Sequence, residues 1–196
     1  MRLISVFQDS YVFEEPHRKV QGKNRLTIAS HGWHKKMPGT VRINNQYRNP
    51  EQLAALINEW TSIPDLYNVR LISCKLANPT PEGYRQWERT KTNDPRQHLW
   101  STSFASKLSI LLPGVFVRAY FGIITSTCGS KSISALYDLA GGERVKDILI
   151  EKFKIFKDSS HHYHCLVFLN GEFVKQTING NDFKCLYRCD RDNQSQ

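Results

Sequence analysis

The amino-acid sequence predicts an α/β fold: a mostly parallel sheet flanked by helices, with a C-terminal β-hairpin or flap. Three observations carry this expectation. Short apolar runs rich in β-branched residues recur along the chain between turn and cap residues, the pattern of buried strands. Stretches with helical spacing lie between them, and strands that alternate with helices imply a parallel sheet covered on its faces. Near the C-terminal end, Asn170-Gly171 separates two further apolar runs.

The expected strands are Leu3 to Phe7, Leu26 to Ala29, Val69 to Ser73 and Val115 to Ile124. In Pro50-Glu51-Gln52-Leu53-Ala54-Ala55-Leu56-Ile57-Asn58-Glu59-Trp60, a proline suited to the first turn precedes apolar residues at 53, 56, 57 and 60, one face of a helix. A second helix is expected from Ser103 to Leu112, with Phe104, Leu108 and Leu111 on its buried side and Pro113-Gly114 ending it. Gly141-Gly142 reads as a turn before a helix that starts near Glu143, since no Gly-Lys-Ser or Gly-Lys-Thr follows to make a phosphate loop. Tyr163 to Leu169 and Glu172 to Ile178 flank Asn170-Gly171, which readily adopts the positive φ angles of a two-residue hairpin turn. This hairpin is expected at the sheet edge near the reactive end, with a further strand at Phe183 to Tyr187.

The length of 196 residues suits one domain, residues 1–190, followed by a loose tail, 191–196. The five cysteines, Cys74, Cys128, Cys165, Cys185 and Cys189, are odd in number and follow no disulfide framework, which points to a reducing, cytoplasmic compartment. The apolar run at Leu3–Phe7 is too short for a signal peptide, and no stretch approaches a membrane span. Lysine and arginine total 27 against 18 acids, a formal charge of +9, so the surface should attract a polyanion.

In a parallel sheet, reactive side chains gather beyond the carboxyl ends of the strands. Leu26-Thr27-Ile28-Ala29 runs into Ser30-His31-Gly32, and Val69-Arg70-Leu71-Ile72 runs into Ser73-Cys74-Lys75. If these strands are neighbours joined by the 51–60 helix, His31 and Cys74 project from adjacent strand ends as a nucleophile and its histidine. A thiolate attacks a peptide carbonyl, and a nearby imidazole supports thiolate formation or protonates the departing amine. Gly32, lacking Cβ, lets its backbone come close to the scissile carbonyl, and its N–H with that of Cys74 could form an oxyanion hole. Lys75 adds positive charge beside the thiol.

Arg25-Leu26-Thr27-Ile28-Ala29-Ser30-His31-Gly32 and Asn68-Val69-Arg70-Leu71-Ile72-Ser73-Cys74-Lys75-Leu76-Ala77 resemble the His-Gly and Ser-Cys blocks of the caspase, gingipain and separase clan of cysteine proteases. Within that clan the chain is most similar to the autoprocessing protease domain of the clostridial glucosylating toxins and multifunctional RTX toxins, over roughly residues 25–125. The resemblance implies a doubly wound caspase-like sheet, a Cys-His pair, and cleavage after residues such as leucine. It also implies activation by inositol hexakisphosphate, relayed by a β-flap. Carried over to this chain, the activator would bind several of Lys35, Lys36, Arg85, Arg89, Lys107, Lys152, Lys154, Lys157, Lys175 and Lys184. No toxin flanks this sequence, so cleavage of a host protein is expected, by a bacterial effector secreted without a cleaved signal peptide. Asp9, Glu14 and Glu15 are the carboxylates upstream of His31, and none matches a motif for a third catalytic residue.

His161, His162, His164, Cys165, Cys185 and Cys189 could supply zinc ligands, but their spacing fits no standard finger, and strand and loop roles are preferred, with no metal expected. Tyr84, Trp87 and Trp100 interleave with basic residues, as a nucleic-acid surface would require, yet no nucleic-acid motif accompanies them. Two readings follow. One is a thiol endopeptidase acting on a specific protein. The other is a non-catalytic module on a degenerate protease fold, holding nucleic acid or phosphoinositide on its cationic surface.

Overall fold

The computed structural model describes residues 1–34, 37–81, 100–157 and 164–177. Its elements in chain order are β1 (Arg2–Val6), β2 (Ser10–Pro16), β3 (Asn24–His34), β4 (Met37–Ile43), β5 (Gln46–Arg48), α1 (Pro50–Trp60), β6 (Leu66–Ile72), α2 (Phe104–Leu111), β7 (Phe116–Phe121), β8 (Ile124–Ser126), α3 (Ser130–Lys152), β9 (Ile155–Lys157), β10 (His164–Leu169) and β11 (Glu172–Thr177). The main sheet runs β1-β2-β3-β6-β7-β10-β11, with β4 and β5 attached to β3; β8 and β9 pair separately.

The fold is α/β, but the sheet is mixed rather than mostly parallel. Among the described strands, only β3 with β6 and β6 with β7 are parallel. At one side β1 and β2 form a hairpin through the turn in which Phe7 N–H donates to Ser10 O at 2.7 Å. At the other, β10 runs antiparallel to β7 and returns as β11. Tight turns impose antiparallel pairing, whereas a parallel pair needs a long crossover. The two crossovers here contain α1 and α2.

Both expected helices form for local reasons. Asn49 caps α1 by accepting the Gln52 N–H, and the Gln52 side chain returns to the Asn49 N–H, a complete capping box. Leu53, Ala54 and Ile57 are its buried face. Ser103 caps α2, whose buried residues include Phe104 and Leu108; Leu111, expected inside, is exposed, and Ser106 and Ser109 are buried instead. These two helices pack with Ile28, Leu71 and Val117 on one face of the sheet. The opposite face carries Tyr11, Phe13, Ala29, Ile72 and Tyr120 beneath α3.

Three elements depart from expectation. The run from Val115 to Ile124 is divided: β7 stops at Phe121, Gly122 turns with φ 82°, and Ile124 opens β8 in the second sheet. The helical stretch from Ser130 was not expected, whereas the break expected at Gly141-Gly142 is present: Gly141, at φ 76° and ψ 178°, interrupts α3 before its second half. Exposed Tyr137 and Leu139 blur the apolar stripe of that first half. Strands β2, β4 and β5 were not anticipated; in β2, Tyr11-Val12-Phe13 is followed at once by Glu14-Glu15, which masks its burial on both faces.

The C-terminal hairpin lies in the sheet plane, and its turn is bolted to α2. Ser106 Oγ donates to Gly171 O at 2.6 Å, and Gly171 N–H donates to Ser109 Oγ at 2.8 Å. Gly171 has φ 88°, and a Cβ there would lie 2.8 Å from Ile110 Cγ1. Gly171→Ala should therefore lower stability by about 1 to 3 kcal/mol through left-handed strain and overpacking, read as a lower denaturant midpoint. An unchanged midpoint would mean that the hairpin turn is not docked. The expected strand at Phe183 to Tyr187 lies outside the described residues, as does the tail 191–196.

Candidate active site and a cationic row

The parallel register brings Ala29 of β3 opposite Ile72 of β6, and there the backbone ladder ends. The next residues, Ser30 and Ser73, join through their hydroxyl oxygens at 2.7 Å. One residue further on each strand stand His31 and Cys74. His31, two residues past Ala29 on β3, shares its face, and Cys74, past the end of β6, packs against the cluster of Ala29 and Ile72 on that same α3 side. His31 is exposed and Cys74 half-buried.

His31 is not beyond the end of its strand, as the sequence suggested. Strand β3 continues to His34, and His31 pairs with Arg42 of β4. Gly32 has a clear steric reason to be glycine: a Cβ there would lie 2.2 Å from Cys74 O, 3.0 Å from Cys74 N and 3.1 Å from Ser73 Cβ. The Gly32 and Cys74 backbones are therefore in direct contact. After Cys74 the chain reverses through Lys75, at φ 60°. Lys75 N–H donates to Gly122 O at 2.7 Å, and Gly122 N–H donates to Asn78 Oδ1 at 2.9 Å, so Cys74 is wedged between β3 and the end of β7. Its thiol donates to Ile124 O at 3.5 Å.

The other described cysteines belong to the core. Cys128 and Cys165 are buried on the α3 side, and burial pushes the Cys128 thiol up in pKa. Trp100, considered as a base-stacking aromatic, is also internal and meets Phe121 edge-on at 5.5 Å. No upstream carboxylate reaches His31. Asp9 pairs with Arg42 Nε at 3.1 Å and accepts the Asn45 N–H at 2.8 Å. Glu14 holds Arg2 and Thr61, while Glu15 holds Arg25 and Arg70.

The basic residues chosen from the sequence do not all converge. Lys107 is exposed on α2, on one layer, whereas Lys152 ends α3 and Lys154 follows it on the opposite layer. Lys35, Lys36, Arg85, Arg89 and Lys184 lie outside the described residues; so do His161, His162, Cys185, Cys189, Tyr84 and Trp87, and the side chains of Lys157 and His164.

A different cationic group emerges from the strand register. Thr27 of β3, Arg70 of β6, Arg118 of β7, Val167 of β10 and Lys175 of β11 form one cross-strand row, with Arg25 and Glu15 in the row beside it. Arg70 Nε and Nη2 donate to Thr27 Oγ1 at 3.2 and 2.9 Å, and its guanidinium lies over the Phe153 ring, 5.4 Å from the centroid. Burial pulls the Arg70 and Arg25 pKa values down; for Arg25 the nearby Glu15 charge offsets part of this. Desolvation and the charges of Arg25, Arg118 and Lys19 likewise lower His17, whose ring packs on Tyr67 at 4.3 Å. Sequence reasoning missed Arg25, Arg70 and Arg118, although an arginine between apolar neighbours in a buried strand, as in Val69-Arg70-Leu71 and Val117-Arg118-Ala119, is an available signal. This row is on the same sheet face as His31 and Cys74. Arg70 and Cys74 are four residues apart in the chain, with Ala29, Ile72 and Tyr120 between the two groups.

No helix among the described residues is long and apolar enough to cross a membrane. Comparison with protein-family models, curated proteins and solved structures finds no match to this chain.

Proposed function

We propose that this chain is a thiol-dependent endopeptidase that cuts a specific protein with Cys74 as nucleophile and His31 as its acid–base partner. The observation that carries the reading is the register: two strands, 43 positions apart in sequence at these residues, deliver an imidazole and a thiol to the same face and the same end of the sheet. In the reaction His31 takes the Cys74 proton, and the thiolate adds to the scissile carbonyl. The C–N bond then breaks as the imidazolium protonates the amine, and water hydrolyses the thioester. The N–H groups of Gly32 and Cys74, on backbones already in contact, are the candidate donors to the oxyanion, a stabilisation of about 3 kcal/mol per donor.

The thiol's bond to Ile124 O suits a form awaiting a trigger. A polyanion such as inositol hexakisphosphate, held on the cationic row of the same face, is the proposed activator. The test is alkylation with a peptidyl chloromethyl ketone, with the modified cysteine identified by mass spectrometry. Cys74 should label first, faster with inositol hexakisphosphate, and Cys128 and Cys165 should stay unmodified while the protein is folded. Labelling of Cys74 no faster than that of a free thiol, with or without the polyanion, would remove the protease reading. The alternative, a polyanion-binding module with an inert Cys74, is favoured by the same thiol–carbonyl contact and predicts binding without labelling.

A further inference from the structure

Glu15 sits among arginines in an unusual way. Its Oε1 atom alone is shared by Arg25 Nη1 at 3.5 Å and Arg70 Nη2 at 3.4 Å. Good guanidinium–carboxylate contacts are shorter, about 2.7 to 2.9 Å. The arginines themselves are firmly held by neutral oxygens: Arg25 Nε by Asn68 Oδ1 at 3.1 Å, Arg70 by Thr27 Oγ1. Their side chains are only 13% and 14% exposed, and Arg118 adjoins Arg70 in the register. Two guanidinium groups are thus held by neutral oxygens, and the one carboxylate oxygen that they share lies at long range from both. A phosphate group, carrying more oxygens and charge than a carboxylate, can accept from both forks.

We infer that Arg25 and Arg70, with Arg118 beside them, form a preorganised phosphate site in which Glu15 is an internal placeholder that the ligand displaces. The ligand class is a small molecule bearing several phosphate groups. This rests on the polyanion reading above and adds to it a device that sets the affinity. An interaction present in the free protein and lost on binding subtracts from the affinity, so the Glu15 contacts raise the ligand concentration needed for occupancy. Glu15 is itself 21% exposed at the end of β2 and can turn to water when displaced.

The placeholder makes an inverted prediction: removing a side chain that touches the site strengthens binding. Calorimetric titration of the full chain with inositol hexakisphosphate at about 0.1 M salt should give affinity about tenfold tighter for Glu15→Gln and about tenfold weaker for Arg25→Gln, a change of about 1.4 kcal/mol each way. Thermal unfolding supplies an independent readout. Glu15→Gln should melt below the wild type without the probe and at or above it with the probe, whereas a merely structural Glu15 would lower both midpoints. Glu15→Asp, whose shorter side chain draws the charge away from the arginines, should tighten binding to a smaller degree. If Arg25→Gln weakens binding but Glu15→Gln does not strengthen it, the placeholder is wrong and the polyanion reading stands. Binding unaffected by Arg25→Gln puts the anion elsewhere and overturns the site; no binding by wild type or variant at low salt overturns both.

Discussion

Cys74→Ala and His31→Ala are each expected to abolish peptide cleavage, with losses on the order of 10⁴-fold or more, while leaving the fold intact. Both residues stand past the last backbone pair that joins β3 to β6, His31 exposed and Cys74 half-buried, so neither truncation opens a large cavity. The double variant should be little worse than the worse single one, because the two act as a unit on one proton and one bond. The measurement is turnover of a substrate found by screening cell lysate against a Cys74→Ala blank, with circular dichroism as the folding control. Full activity in a folded His31→Ala would remove the imidazole from the mechanism and leave the thiol to be activated by something else.

Gly32→Ala should do more damage than its single methyl suggests. The added Cβ meets carbonyl and amide atoms of Cys74 at 2.2 and 3.0 Å, so relief requires β3 to separate from the chain after β6. Backbone cannot swing aside as a flexible side chain does, and overpacking of this kind costs about 1 to 3 kcal/mol, occasionally more. Cleavage should fall further than stability, since the displaced strand carries His31 and the displaced residue is Cys74. About a 1 Å misplacement can cost 10²-fold in rate. A variant with unchanged midpoint and unchanged cleavage would show that the strands do not approach as closely as described.

Much of the layout was legible in the sequence because it depends on neighbours in the chain. The α1 capping box needs only Asn49 and Gln52, and the hairpin needs only Asn170-Gly171 between apolar runs. The strands that lead into His31-Gly32 and Ser73-Cys74 could be read from their apolar runs, although β3 continues to His34. That they would be parallel neighbours followed from the helix between them. The sequence was misleading at Gly122, which divided a run read as one strand, and it hid the helical stretch from Ser130, whereas the break read at Gly141 is present.

Other features exist only once strands are side by side. Whether His31 and Cys74 share a face depends on register, since a one-residue slip would turn one of them to the opposite side. The thiol's contact with Ile124 O joins residues 50 positions apart, through a loop whose path depends on packing against β7. The sequence by itself determined the α/β class, the two helices beside the parallel core, the C-terminal hairpin and an excess of positive charge. The tertiary structure alone decided that the sheet is mixed, that Gly32 must lack a side chain, and that Arg25 and Arg70 meet at Glu15 with Arg118 beside Arg70. Electrostatic grouping is set by distance in space, and cross-strand pairing joins residues more than 40 positions apart in this chain.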